Sequence, residues 1–146
     1  MKWRWSGLLL GMVLVAAPCF AHHVAVVVSP ENTTENFSSA ELSRIFRCET
    51  RKWSDGEQIL VVLNRSSVGE AWTLQRLNRM SAPQWQAWMK EHKRHLAFVD
   101  SDEEVLTLVG NTPGAIGLVD VRALNDKVRV VHVDGKLPLE AGYLPH

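Results

Sequence analysis

Apolar and polar positions along the chain fall into two alternating rhythms. Val24-Ala25-Val26-Val27-Val28 is an unbroken apolar run within residues 22–28. That is the pattern of a strand buried on both faces. Ser29-Pro30-Glu31-Asn32 ends it, and residues 29–37 read as a polar loop. Ser38 and Glu41 then stand in the S-x-x-E relation of a capping box. The helix behind them places Leu42, Ile45 and Phe46 on one face and ends near Cys48. Asp55-Gly56 marks a turn, and Trp53 beside it is expected to close one edge of the core.

The second strand runs from Ile59 to Leu63, and Ser67 and Glu70 form another S-x-x-E start. That helix carries Ala71, Trp72, Leu74 and Leu77 and stops near Met80. Ser81-Ala82-Pro83-Gln84 opens the next, with Pro in the first turn. Trp85, Trp88, Met89 and His92 follow at i, i+3, i+4 and i+7, and the basic residues from Lys90 to Arg94 suit the helix C-terminus. Leu96 to Val99 predicts a short strand. Ser101 and Glu104 start a helix that buries Val105, Leu108 and Val109. Thr112-Pro113-Gly114 is a turn, and Ala115 to Val119 is a strand in which Gly117 implies close backbone approach. Val128 to Val133 is the last strand, and residues 136–146 read as an irregular tail packed on the surface. Valine-rich strands alternating with capped helices predict an α/β fold: a mostly parallel sheet with helices on both faces.

Composition changes this picture mainly at the N-terminus. Lys2 and Arg4 precede an apolar run from Leu8 to Ala17, then Pro18-Cys19-Phe20-Ala21. This is the pattern of a secretory signal peptide over residues 1–21, cleaved after Ala21 rather than kept as an anchor. The run is shorter than the ~20 residues that span a bilayer. The expected product is a periplasmic domain of residues 22–146 with no membrane span. Losing Lys2 and Arg4 lowers the 16 basic residues to 14 against 16 acids. No basic patch suggests nucleic-acid binding. Cys48 is then the one remaining thiol, read as a small buried hydrophobe on a helix rather than a reactive nucleophile.

The candidate chemistry sits after the second strand, at Asn64-Arg65-Ser66-Ser67-Val68-Gly69-Glu70. Ligands in open α/β sheets bind at the carboxyl ends of strands. Arg65 has the fork for an oxyanion, Ser66 and Ser67 offer hydroxyls, and the N–H groups of Val68 and Gly69 belong to a first helical turn. Spacing alone favours a plainer reading, in which Ser67 caps its helix and Arg65 pairs with a carboxylate. His92 and His95 flank a predicted helix end, and His22 and His23 form a loose terminal pair, so no specific metal site is indicated. No G-x-S-x-G elbow is present, and Asp102-Glu103-Glu104 suit a first helical turn, so no enzyme is indicated. Trp85 and Trp88 at helical spacing read as core rather than as a stacking surface.

Three segments together resemble a family. Ser39-Ala40-Glu41-Leu42-Ser43-Arg44-Ile45-Phe46 with Arg51-Lys52-Trp53-Ser54-Asp55-Gly56, then Leu63-Asn64-Arg65-Ser66-Ser67, then Thr112-Pro113-Gly114-Ala115-Ile116-Gly117-Leu118-Val119 resemble the phosphate-binding periplasmic proteins, the substrate-binding components of phosphate ABC transporters. The resemblance covers about residues 24–133. It implies one lobe of the two-lobed type II periplasmic-binding-protein-like fold, with no cofactor. It also implies a weak ligand, phosphate or a similar oxyanion, at Arg65, Ser66, Ser67, Val68 and Gly69. The missing lobe would come from a second copy or a protein partner. The family's loop resembles R-S-D-G-S-G-T. Here Ser67 stands at the Asp that accepts a phosphate proton, and Val68, Gly69 and Glu70 replace Gly, Ser and Gly. A Glu70 carboxylate roughly 6 Å from an anion would cost about 1 kcal/mol at intermediate dielectric. The expectation is a non-catalytic solute-binding-like module. The alternative is a periplasmic adaptor that kept the fold and lost the ligand.

Overall fold

The computed structural model describes residues 23–145. The expected signal peptide and its cleavage after Ala21, together with His22 and His146, lie outside them. The elements in chain order are β1 (Val24–Val28), β2 (Asn36–Phe37), α1 (Ser39–Phe46), β3 (Leu60–Asn64), α2 (Val68–Leu77) and α3 (Ala82–His92). Then come β4 (Leu96–Val99), α4 (Asp102–Asn111), β5 (Ala115–Asp120), β6 (Arg129–Val130) and β7 (His132–Val133). Among the described residues no helix is long and apolar enough to cross a membrane.

The main sheet has the order β4-β3-β5-β1-β6. β3 runs parallel to β4 and β5, while β1 runs antiparallel to β5 and β6. Four of the five strands therefore share a direction, and β1 opposes them. Each parallel pairing needs a helical crossover to bring the chain back to the same end. α2 and α3 serve β3 to β4, and α4 serves β4 to β5. Alternate strand residues feed two cores. Val24, Val26, Val28, Leu63 and Leu118 face α1, α2 and α3. Val27, Val62 and Val119 face Val105, Leu106 and Val109 of α4. Gly117 lies under α4, where a Cβ would stand 2.8 Å from Val105 Cγ1. The absent side chain lets the helix pack against the sheet, as its position in the strand implied.

Several expectations give way where tertiary contacts decide. The 29–37 loop contains β2, which pairs in parallel with β7 in a small second sheet. The single last strand is two, β6 in the main sheet and β7 in the small one. Cys48 is buried but sits past the end of α1 at φ 59°, a turn position rather than a helical one. In α2 the covered residues are Gly69, Glu70, Thr73 and Leu74, so the buried face is rotated from the expected one. Trp72 is exposed, with the Arg76 guanidinium 4.0 Å above its ring. In α4 Leu106 is buried where Leu108 was expected. Trp53 does close the core edge: it packs against Phe37, and its indole N–H donates to the Gly114 carbonyl at 3.0 Å.

The tail is not merely a surface feature. Tyr143 and Leu144 are buried in the larger core. The Tyr143 hydroxyl accepts from the Val26 N–H at 3.0 Å and donates to the Val131 carbonyl at 2.7 Å. It stands where β6 leaves β1 and bridges Val26 to Val131, whose N–H donates to the Val26 carbonyl at 3.0 Å. Burial pushes its pKa up to about 12, so the donor proton stays in place over the physiological range. Tyr143→Phe leaves a buried N–H and a buried carbonyl without this bridge. It is expected to lower stability by about 1–3 kcal/mol, read from the urea midpoint at unchanged slope.

Candidate functional site

Three parallel strands, β4, β3 and β5, end side by side, and the residues that follow them form the candidate site. Arg65 follows β3, and its N–H donates to the Val99 carbonyl of β4 at 2.9 Å, extending the ladder by one bond. That register brings Arg65 beside Asp100. The guanidinium grips this carboxylate with a fork, Nε to Oδ1 at 3.1 Å and Nη2 to Oδ2 at 3.2 Å. Both side chains stay well exposed, 59% and 63%. Arg65 also lies 5.8 Å from the Phe98 ring centroid. At the end of β5 a similar fork joins Arg122, just past the strand, to Asp120.

Ser67 is the N-cap of α2, its hydroxyl accepting from the Glu70 N–H at 3.1 Å. The Ser66 N–H donates to Asn64 Oδ1 at 3.0 Å, while the exposed Ser66 hydroxyl makes no hydrogen bond among the described residues. Val68 and Gly69 hold the first helical turn, where N–H groups lack intrahelical acceptors. The Val68 side chain is 75% exposed. The turn thus brings Arg65, Ser66, Ser67, Val68 and Gly69 together as expected from the chain order. Arg65 and Ser67 also have the internal partners that the plainer reading assigns them.

Glu70 departs from expectation. It does not fold back into a capping box or stand at the mouth. Its side chain turns under the loop, 3% exposed, where Oε2 accepts from the Asn64 N–H at 2.7 Å. Oε1 is buried without a hydrogen-bond partner among the described residues. Desolvation pushes its carboxyl well above the usual range, and the Asp102 charge adds to this, against the lowering by the Asn64 N–H. The neutral form is favoured, which weakens the repulsion assigned to Glu70. The opposing charge comes instead from Asp100. Asp102 adds to it while bonding Asn64 Nδ2 at 3.0 Å and the Asp120 N–H at 3.2 Å. Across the strand ends, Asp100, Asp102 and Asp120 stand against Arg65 and Arg122. Glu104 closes over the Asp100 N–H at 2.7 Å rather than over Ser101. Asp100 and Asp102 follow β4 and Asp120 ends β5, so only the strand order brings these acids to the end of β3, where Asp100 meets Arg65.

The other candidates find structural roles. Trp85 and Trp88 are buried and stacked, with His92 stacked on Trp88. His92 Nδ1 lies 2.9 Å from the Trp88 carbonyl. Burial pushes the Cys48 thiol up, only partly offset by Arg51, which disfavours the thiolate. Among the described residues no three His, Cys, Asp or Glu side chains are grouped to hold a metal.

The Glu70 geometry has a pH signature. A carboxyl whose folded pKa is raised contributes fully below its unfolded pKa, and that contribution is lost as pH rises through the folded one. Glu70→Gln can keep an acceptor for Asn64 and does not titrate. Its melting temperature relative to the native chain is therefore expected to climb as pH rises from the ordinary Glu range, about pH 4, up through the raised folded pKa. A pH-independent difference in thermal melts would contradict the buried, uphill-titrating Glu70.

No protein-family model and no curated protein matches the chain. Solved structures do. It is similar to an ABC-type phosphate transport receptor from Vibrio cholerae, with 18% identity and a TM-score of 0.64 over 80% of this chain and 48% of that one. It is similar also to PstS from Borrelia burgdorferi, with 19% identity and a TM-score of 0.64 over 80% of this chain and 49% of that one. The chain spans about half the length of these structures. It shares its α/β fold with that half of the phosphate-transport binding proteins, the periplasmic-binding-protein fold that the three sequence segments resemble.

Proposed function

We propose that residues 22–146 form an exported, non-catalytic solute-binding-like module that takes phosphate or a similar small oxyanion weakly. Residues 1–21 serve as a cleaved signal peptide, and the mature domain works in the periplasm. The observation that carries this reading is the β3–α2 turn. It presents the exposed Arg65 fork, the unengaged Ser66 hydroxyl and the first-turn N–H groups of Val68 and Gly69 at the carboxyl end of a buried strand. Ser67 orders the turn and lends its hydroxyl. The similarity to a phosphate transport receptor supports the choice of ligand. Binding is weak because Arg65 must leave Asp100 and because the site has one wall. A second copy of the chain, or a protein partner, would supply the other.

A second reading is favoured by a separate observation. The Arg65–Asp100 fork and the acids at the strand ends already satisfy the cation of the turn. This suits a periplasmic adaptor that works through a protein surface and no longer holds an anion.

Calorimetric titration with phosphate and sulfate separates the two. An exposed ion pair is worth about 0–1 kcal/mol. Asp100→Asn, which frees Arg65 and removes a like charge, should therefore tighten phosphate binding by up to about fivefold. Arg65→Ala should abolish it. If neither the native chain nor Asp100→Asn shows heat or a thermal shift at millimolar phosphate, the oxyanion reading fails and the adaptor reading stands. Sedimentation with and without phosphate tests whether the anion recruits a second copy.

A further inference from the structure

A cavity of about 490 Å³ lies between α2, α3 and the β3–β4 edge of the sheet. This is within the range of about 300–1,000 Å³ typical of small-molecule pockets. Leu63, Leu74, Trp85, Met89 and Phe98 give it an apolar wall. Two features break that wall. Glu70 lines it, with Oε2 held by the Asn64 N–H and Oε1 buried without a partner among the described residues. Lys90 and Lys93 line it from α3 and the turn after it, both exposed and neither in an ion pair among the described residues. Arg65, also on the lining, is already matched by Asp100. The net charge at the rim is therefore set by the two lysines.

We propose that this cavity binds a small amphipathic anion: a hydroxylated aliphatic or aromatic carboxylate whose apolar body lies against Trp85, Met89 and Phe98, whose head meets Lys90 and Lys93, and whose hydroxyl reaches Glu70. Each part of the assignment follows from one feature. Burying the body removes apolar surface from water on both sides. The lysines are point charges on flexible stems, able to follow a head group at the mouth. An orphaned buried oxygen costs free energy until it finds a partner, and a ligand hydroxyl is a group that can supply one. The upward push on the Glu70 carboxyl weakens its repulsion of an anion. A small hydrated oxyanion has no body to bury, so this cavity calls for a different ligand from the β3–α2 turn it adjoins; the two share Arg65, but the assignment does not use the oxyanion reading.

The test uses calorimetry on the full mature chain with ω-hydroxydecanoate and hydroxynaphthoate as probes, which separate an aliphatic from an aromatic source. The expected result is saturable one-site binding of at least one of them. Amide shifts in the NMR spectrum should concentrate at Glu70, Ala71, Trp85 and Met89. Reversing the rim charge with Lys90→Glu and Lys93→Glu together should weaken binding by about tenfold or more. Ala71→Phe, at a half-buried lining position, should fill the cavity and abolish binding. The unliganded melting temperature of each variant reports whether it folds. Decanediol, which lacks the charge, should bind at least about tenfold more weakly than ω-hydroxydecanoate. Absence of binding at millimolar probe overturns the proposal. So does binding unchanged by both the charge reversal and Ala71→Phe in folded variants.

Discussion

A strand buried on both faces must pair every backbone polar group it carries, and β1 is such a strand. Val24–Val28 lie wholly inside the protein, between β5 and β6, with one core on each side. An unpaired N–H there has no water to turn to. β5 satisfies one edge along the full length of β1. β6 pairs with only two residues of the other edge, because the chain then leaves to build the small sheet with β2. The Tyr143 hydroxyl completes the ladder at that point, accepting from Val26 and donating to Val131. The need to satisfy one backbone N–H thus ties the last residues of the chain to its first strand. Without that tie the two-sheet arrangement would leave a buried gap.

The same accounting shapes the strand ends where the candidate site lies. The Asn64 N–H, at the carboxyl end of β3, is buried and takes the Glu70 carboxylate oxygen. Glu70 is thereby drawn under the turn, out of its capping role, and its charge becomes costly. Asn64 passes constraint on in both directions: its carbonyl oxygen Oδ1 orders Ser66, and its Nδ2 holds Asp102 of α4. The turn that offers donors outward is tied inward through Asn64 on three sides. Arg65 is the exception, facing solvent with an exchangeable partner. An exposed pair is weak, so the availability of this fork depends on what competes with Asp100.

The alternation of Val-rich runs and capped helices was legible because it is local. Hydrophobic periodicity and S-x-x-E or S-x-x-Q starts act within a few residues, and four helices begin at the serines that announced them, Ser38, Ser67, Ser81 and Ser101. Where two residues in a start signal had a choice of partner, locality failed. Glu41 and Gln84 close their boxes on exposed turns, while Glu70 and Glu104 reach past their caps to Asn64 and Asp100. The candidate turn could be read as a turn, including the plain roles of Ser67 and Arg65. The identity of the acid opposing an anion could not. Glu70 is close in sequence but hidden, and Asp100 is 35 residues away but adjacent in space.

The residues by themselves therefore determined the class of fold, the helix starts, the two-faced burial of β1 and β3, and the set of groups gathered at the β3–α2 turn. Each follows from backbone propensity and side-chain polarity over short spans. The tertiary structure alone decided the reversed direction of β1, the split of the last strand, the burial of Tyr143 and the pairing of Arg65. It also decided the cavity that Glu70 lines. These depend on which strand lies beside which, and so on how distant segments compete to satisfy the same buried backbone groups. No pattern within one segment carries that information.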